Sequence, residues 1–295
     1  IRDRDEAVSI MVDKANIAAD TIKNNYDCCV AYYDEHLLEI SIEQRRLLGE
    51  FEPALQKDEF AMYLQPQVNR DGAAKGAEAL VRWVHPSRGI LTPYAFIDIL
   101  ENAGLIYKLD LYIWEKAAQK LAEWKEKGYG SYHISVNIST KDFYIIDIYE
   151  TFTGLINKYG IAASNLHLEI TETTLMTDFE KNMNIIHKLQ GVGFRVEIDD
   201  FGSGYSSLNM LKDISADVLK IDMGFLRKSE NEVKGQDILE SIIALAGKIG
   251  MDVITEGVET KKQLDMLTMM GCHEFQGYYF SKPVPVSEFE EKYLV

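Results

Sequence analysis

Residues 166–200 read LHLEITETTLMTDFEKNMNIIHKLQGVGFRVEIDD, and this stretch decides the fold class. Leu166–Thr171 and Arg195–Asp200 are short, mostly apolar runs that close on acids: Glu169 and Glu172 in the first, Asp199 and Asp200 in the second. Between them, Phe179–Gln190 carries apolar residues at the spacing of one helix face. Strand, helix and strand recurring at roughly 30 residues make a βαβ unit with parallel strands.

The same alternation extends in both directions. Further strand candidates are Phe60–Val68, Gly76–Trp83, His133–Ile138, Val218–Asp222, Asp252–Glu256 and Glu274–Tyr279. Further helical patterns are Tyr112–Lys127, Gly235–Ile249 and Thr260–Met270. Eight strands over residues 51–295 predict an α/β fold of the closed TIM-type (β/α)8 kind rather than an open sheet. Ahead of the barrel, Val8, Met11, Ala15, Ala18 and Ile22 mark one helix. Cys28–Tyr33 reads as a short strand, and Leu47, Leu48, Phe51 and Leu55 mark a second amphipathic helix. Such a helix-strand-helix extension is too small for its own core. It either decorates the main domain or, as the preferred expectation, is the C-terminal remnant of a preceding domain (1–35) joined by a linker helix (36–50) to the barrel (51–295). The chain starts at Ile1 in mid-pattern and is expected to be a piece of a longer protein.

Composition excludes several classes. Hydrophobic residues are 46% and charged residues 26% of 295, which rules out disorder, collagen and a coiled-coil rod. A formal charge of −16 disfavours DNA and anionic membrane as partners. A phosphate ligand then requires divalent cations between the two negative charges. Cys28, Cys29 and Cys272 form no CxxC pair, which argues against zinc-finger and disulfide scaffolds and for a reducing, cytoplasmic setting. Apolar runs such as Ile242–Ala246 fall far short of the roughly 18–20 residues that span a bilayer.

The decisive chemistry lies at the strand ends. Asn137 closes SVNIS, Lys220 and Asp222 close VLKID, Glu256 and Glu259 close VITEGVE, Gln276 closes EFQGYY, and Glu78 lies inside GAEALVRW. In a parallel barrel these ends converge on one mouth, where active sites sit. At least four carboxylates, an amide and a lysine would meet there. Like charges this close need compensation, and two divalent metals supply it. With oxygen ligands and no Cys or His cluster, Mg²⁺ or Mn²⁺ is expected, two per site. In DDFGSGYSSL (199–208), adjacent aspartates can bridge two metals, and Gly202 and Gly204 permit a tight turn. The histidines His85, His133, His167, His187 and His273 are scattered without metal spacing and read as structural or surface groups.

GAEALVRW, SVNIS, LEITE, DDFGSGYSSL, LKID, TEGVE and QGYYFSKP occur in this order. Together they resemble the EAL-domain phosphodiesterases of cyclic di-GMP, over about residues 50–295. The resemblance implies a TIM barrel whose first strand runs antiparallel. It implies metal positions at Glu78, Asn137, Glu169 and Asp199, with Asp200 and Glu256 at the second metal. By the same resemblance Lys220 touches the attacking water, by proton transfer or by charge alone, and Glu172 anchors the loop after Asp199–Asp200. Gln65, Leu80, Arg82 and Gln276 match ligand-binding positions, and Glu259 a supporting acid, with Gly202 and Ser203 in the loop. Small departures are Thr255, where the family usually has Ala, and Ser203, where it often has Thr.

The implied activity is hydrolysis of cyclic di-GMP to linear pGpG, which lowers a second-messenger signal. The rival reading is a catalytically silent cyclic di-GMP receptor; a third is an interaction domain that binds no nucleotide. The N-terminal segment resembles the tail of a GGDEF domain. Expected partners are therefore cyclic di-GMP, an upstream sensor or GGDEF domain, and a second copy through the barrel.

Overall fold

The computed structural model describes residues 7–22, 29–201, 214–224 and 232–294. Among them ten strands form one sheet: β1 (Phe60–Val68), β2 (Ala74–His85), β3 (Gly89–Leu91), β4 (His133–Ile138), β5 (Leu166–Thr171), β6 (Val196–Phe201), β7 (Val218–Asp222), β8 (Asp252–Glu256), β9 (Glu274–Phe275) and β10 (Val284–Pro285). β2, β4, β5, β6, β7, β8 and β9 pair in parallel, each with the next. β1 closes the ring by pairing antiparallel with both β2 and β9. The result is the expected eight-stranded barrel with an inverted first strand. β3 and β10 are short antiparallel additions to β2 and β1.

Helices cover the outside because the strands' outward faces are apolar. The helix Ile106–Glu126 lays Leu109, Ile113, Ala117, Leu121 and Trp124 along one buried stripe. Burying each of the larger ones stabilises the fold by about 1.5–3 kcal/mol. Trp114 packs on Phe152 with ring centroids 4.5 Å apart, and Phe152 meets Phe194 edge-on, joining three layers of the outer core.

Two expectations at the edges need correction. Cys28 lies outside the described residues, and residues 29–34 form no strand. A strand exists only through a ladder of pairing bonds, and no strand of the sheet pairs with this segment. The run expected as a strand over Glu274–Tyr279 stops at Phe275. There the chain turns so tightly against Val258 that a Cβ on Gly277 would sit 2.2 Å from the Val258 carbonyl oxygen. The second N-terminal helix runs unbroken over Glu35–Gln56, with Leu47, Phe51 and Ala54 buried.

The barrel interior is unusually polar. Side chains alternate along a strand, so His133, Ser135 and Asn137 of β4 share the inward face, as do His167 and Glu169 of β5 and Glu197 and Asp199 of β6. Ser135, His167, Glu169, Glu197 and Lys220 are all buried. TIM barrels ordinarily fill this space with branched apolar residues. Here stacked layers of charge and amide replace them.

Candidate active site

Lys220, on β7, is the centre of the upper layer. Its Nζ lies 2.8 Å from Glu256 Oε1, 2.9 Å from Glu169 Oε1, and 3.6 Å from both Glu78 Oε2 and Asp199 Oδ1. The four carboxylates come from four strands, β8, β5, β2 and β6, so only barrel closure brings them together. Two amides steady Glu78: Asn137 Nδ2 donates to Oε1 at 3.1 Å and Gln276 Nε2 donates to Oε2. Gln276 Nε2 also lies 3.3 Å from Gln65 Oε1, and Gln65 Nε2 donates to the Ser281 carbonyl at 3.3 Å.

The electrostatics follow from burial. Burial opposes a charged Lys220, but Asp199, Glu169, Glu256 and Glu78 outweigh it and hold the ammonium well above the usual lysine range. Burial and the neighbouring Glu78 push Glu169 well above the usual carboxylate range. Glu256 is pushed up to about 8, chiefly by burial, with Lys220 opposing and Asp199 and Glu78 adding.

The site has the donors a hard cation needs. Glu169 is 1% exposed, and among the described residues its Oε2 accepts no hydrogen bond, while its Oε1 and Asp199 Oδ1 meet only the shared Lys220 ammonium. Buried acceptors without donors are costly, and an all-oxygen set with one amide suits Mg²⁺ or Mn²⁺.

Residues 49–283 match the family profile described as the EAL domain. The chain belongs to the EAL domain family. Among its relatives is the bifunctional diguanylate cyclase/cyclic di-GMP phosphodiesterase MucR of Pseudomonas aeruginosa, 32% identical over 272 residues, covering 92% of this chain and 39% of MucR. Another is the cyclic di-GMP phosphodiesterase NbdA of the same organism, 33% identical over 261 residues, covering 88% of this chain and 33% of NbdA. The chain thus spans two fifths or less of these relatives. Among solved structures, the MucR phosphodiesterase in complex with c-di-GMP aligns with a TM-score of 0.78 at 33% identity, over 83% of this chain and 99% of that one.

The EAL motif itself explains three placements. Glu78, Leu80 and Arg82 are two residues apart on β2 and so share one face. Glu78 enters the barrel, Leu80 lines a cavity of about 410 Å³ beside the mouth, and Arg82 lies 5.6 Å over the Tyr63 ring while Nη1 donates to the Val81 carbonyl. The DD pair of this EAL domain depends on a break in alternation. Adjacent strand residues ordinarily face opposite ways, but the β6–β7 register shifts between Ile198 and Phe201, and Asp200 has φ +56°. Asp200 thereby stays within electrostatic reach of Asp199 and Asp222, which together with burial raise its carboxyl above the ordinary range. Glu172 opens the helix Glu172–Thr177 directly after β5. Glu259 is exposed in the turn before the helix Lys261–Met269. Gly202 and Ser203 lie outside the described residues.

Three features escaped the sequence reading. Trp114 Nε1 donates to the Asn137 carbonyl at 2.9 Å, fixing the backbone at that strand end. Asp110, on the helix Ile106–Glu126, lines the cavity beside Leu80. Burial and Asp142 push its carboxyl well above the ordinary range. His133 and His167 also meet, and the shared inward face of His133–Ser135–Asn137 was the available signal.

Proposed function

We propose that this EAL domain hydrolyses one phosphodiester bond of cyclic di-GMP to give linear pGpG. The observation that carries the reading is the ring of Glu78, Glu169, Asp199 and Glu256 around Lys220, with Glu169 buried and its Oε2 unpartnered among the described residues. Glu78, Asn137, Glu169 and Asp199 would hold divalent cations, with Asp200 and Glu256 at the second. Bound there, two such ions would lower the pKa of a water and neutralise charge on the phosphate.

The chain's own groups do the rest. Lys220, central to the ring, would hold the attacking water and fix its direction, by charge or by proton transfer. Arg82 would pair with a phosphate oxygen. Gln65 and Gln276, already linked to each other and to Glu78, would orient the ribose-phosphate ring. The cavity beside Leu80 would take one base. A complete acid set leaves the receptor reading without a supporting observation. Residues 1–35 are proposed as the tail of a preceding GGDEF-like domain, with the helix over 36–50 as its linker.

The test is product analysis by chromatography with cyclic di-GMP, Mg²⁺ or Mn²⁺, and an EDTA control. Metal-dependent pGpG is expected, and Glu78→Ala should abolish it. Full hydrolysis by Glu78→Ala with metal present overturns the assigned site. Intact ligand in every wild-type tube, with binding seen by titration, would replace the enzyme with the receptor.

A further inference from the structure

A second cluster occupies the opposite end of the barrel. One ring nitrogen of His133, one of His167 and one oxygen of Glu197 lie within 4.8 Å of one another. They sit on the inward faces of β4, β5 and β6, two residues before Ser135, Glu169 and Asp199. At about 3.3 Å per residue, that puts His167 and Glu197 roughly 7 Å below the carboxylate ring, and His133, four residues before Asn137, deeper still. The cluster lines a cavity of about 570 Å³ formed at the strands' N-terminal ends, which gives it an entry separate from the mouth. The charged groups at its rim are already paired, Lys75 with Glu274 and Arg195 with Asp252.

We propose that His133, His167 and Glu197 bind one transition-metal ion of the Zn²⁺ class at this end, independently of the cations at the mouth. Each ligand is set up as such sites are built. A metal-bound histidine characteristically donates its other N–H to a carbonyl or carboxylate. His167 Nε2 lies 3.2 Å from the Ser164 carbonyl oxygen, and His133 Nε2 lies 2.7 Å from Gln67 Oε1. Both rings can thus keep the proton on Nε2 and offer the Nδ1 lone pair. His167 Nδ1 lies 2.6 Å from Glu197 Oε1, where the ion would replace a shared proton. Glu197 is fully buried and its Oε2 has no hydrogen-bond partner, an independent sign of a missing cation. Ser135 Oγ donates to Oε1 at 3.2 Å and orients the carboxylate.

Ligand chemistry selects the ion. Two imidazoles and one carboxylate favour Zn²⁺, Co²⁺ or Ni²⁺ over Mg²⁺, and leave a position for water. The two rings stack at 3.8 Å, 5° from parallel, so binding must tilt them to aim both lone pairs at one point. Ligands drawn from three neighbouring strands would make the ion a staple of the barrel floor.

The test uses Co²⁺ as a spectroscopic probe, with excess Mg²⁺ occupying the mouth. One equivalent should produce an intense visible band of a low-coordinate nitrogen-ligated ion, and Zn²⁺ should displace it. His167→Gln and His133→Gln should remove the band and weaken Zn²⁺ binding at least about a hundredfold. Glu169→Gln should leave both unchanged. No band, a band that survives both histidine variants, or one lost in Glu169→Gln would overturn the proposal. Should the variants not fold, imidazole nitrogen NMR of the wild-type protein decides. Zn²⁺ should shift Nδ1 of two of the six histidines. Shifts at other histidines, or none, refute the site.

Discussion

Replacing Lys220 with Met tests the electrostatic reading most directly. The side chain keeps its length and loses its charge, leaving four carboxylate groups without the ammonium that lies 2.8–3.6 Å from their oxygens. At an effective dielectric constant of about 20, each contact is worth roughly 4–6 kcal/mol of gross attraction. Most of that offsets desolvation of the ammonium, and the carboxylates can take up protons in response. Removing one partner of a buried ion pair typically costs about 3–5 kcal/mol net. For a chain of this size that is a melting temperature lower by about 5–8 °C in EDTA. A divalent cation should restore about 2.7 kcal/mol at a hundred times its dissociation constant, so the variant should gain more from Mn²⁺ than the wild type does. With Mn²⁺ present, kcat for cyclic di-GMP should fall by about 10²–10⁴ while KM moves little, as expected for a group that acts on the water rather than the ligand. Differential scanning calorimetry with and without Mn²⁺, together with steady-state kinetics, reads all of this. An unchanged melting temperature in EDTA would show that Lys220 does not neutralise the ring. A loss confined to KM would remove its role at the water.

Further predictions concern separate parts of the molecule. Glu256 titrates near 8 in the folded chain against an ordinary 4.5. Its contribution to stability in EDTA is therefore full below about pH 4.5 and lost as pH rises through about 8. Urea midpoints across this range should fall more steeply for wild type than for Glu256→Gln; equal slopes refute the shift. Gly76→Ala places a Cβ 2.4 Å from the His133 ring, so the ring must move and loosen its bond to Gln67. Urea unfolding should show a loss of about 1–3 kcal/mol, and a loss under about 0.5 kcal/mol would contradict the packing. Arg82→Ala should raise KM for cyclic di-GMP about 10–100-fold with kcat largely kept, the value of one charge-assisted hydrogen bond. A pure kcat effect would place Arg82 in the chemistry instead.

Much of the barrel was legible because its signals are local. Apolar runs of strand length, such as Leu166–Thr171, alternate with amphipathic helices, and both periods can be read from neighbours in the chain. The acids at Glu169, Asp199 and Glu256 stood out for the same reason: each ends an apolar run. Cys28–Tyr33 looked like a strand by composition, but strand character is completed by a partner, and the sheet offers none to its described residues 29–33.

The sequence by itself determined the alternation of strands and helices, the EAL resemblance, and which residue types stand at the strand ends. Only the tertiary structure decided how they meet. Side-chain alternation is the same whichever way a strand runs, so the antiparallel pairing of β1 had no signal in periodicity alone. The ring around Lys220 draws residues from 78 to 256 in the chain, and their distances exist only once the barrel closes. The direction of the Lys220 shift needed those distances, because burial and four carboxylates act in opposite senses and only geometry says which wins. His133 and His167 are 34 positions apart in numbering and carry no shared motif. The parallel register sets His167 beside Ser135, and the two rings stack diagonally across β4 and β5, a contact that exists only once these strands pair.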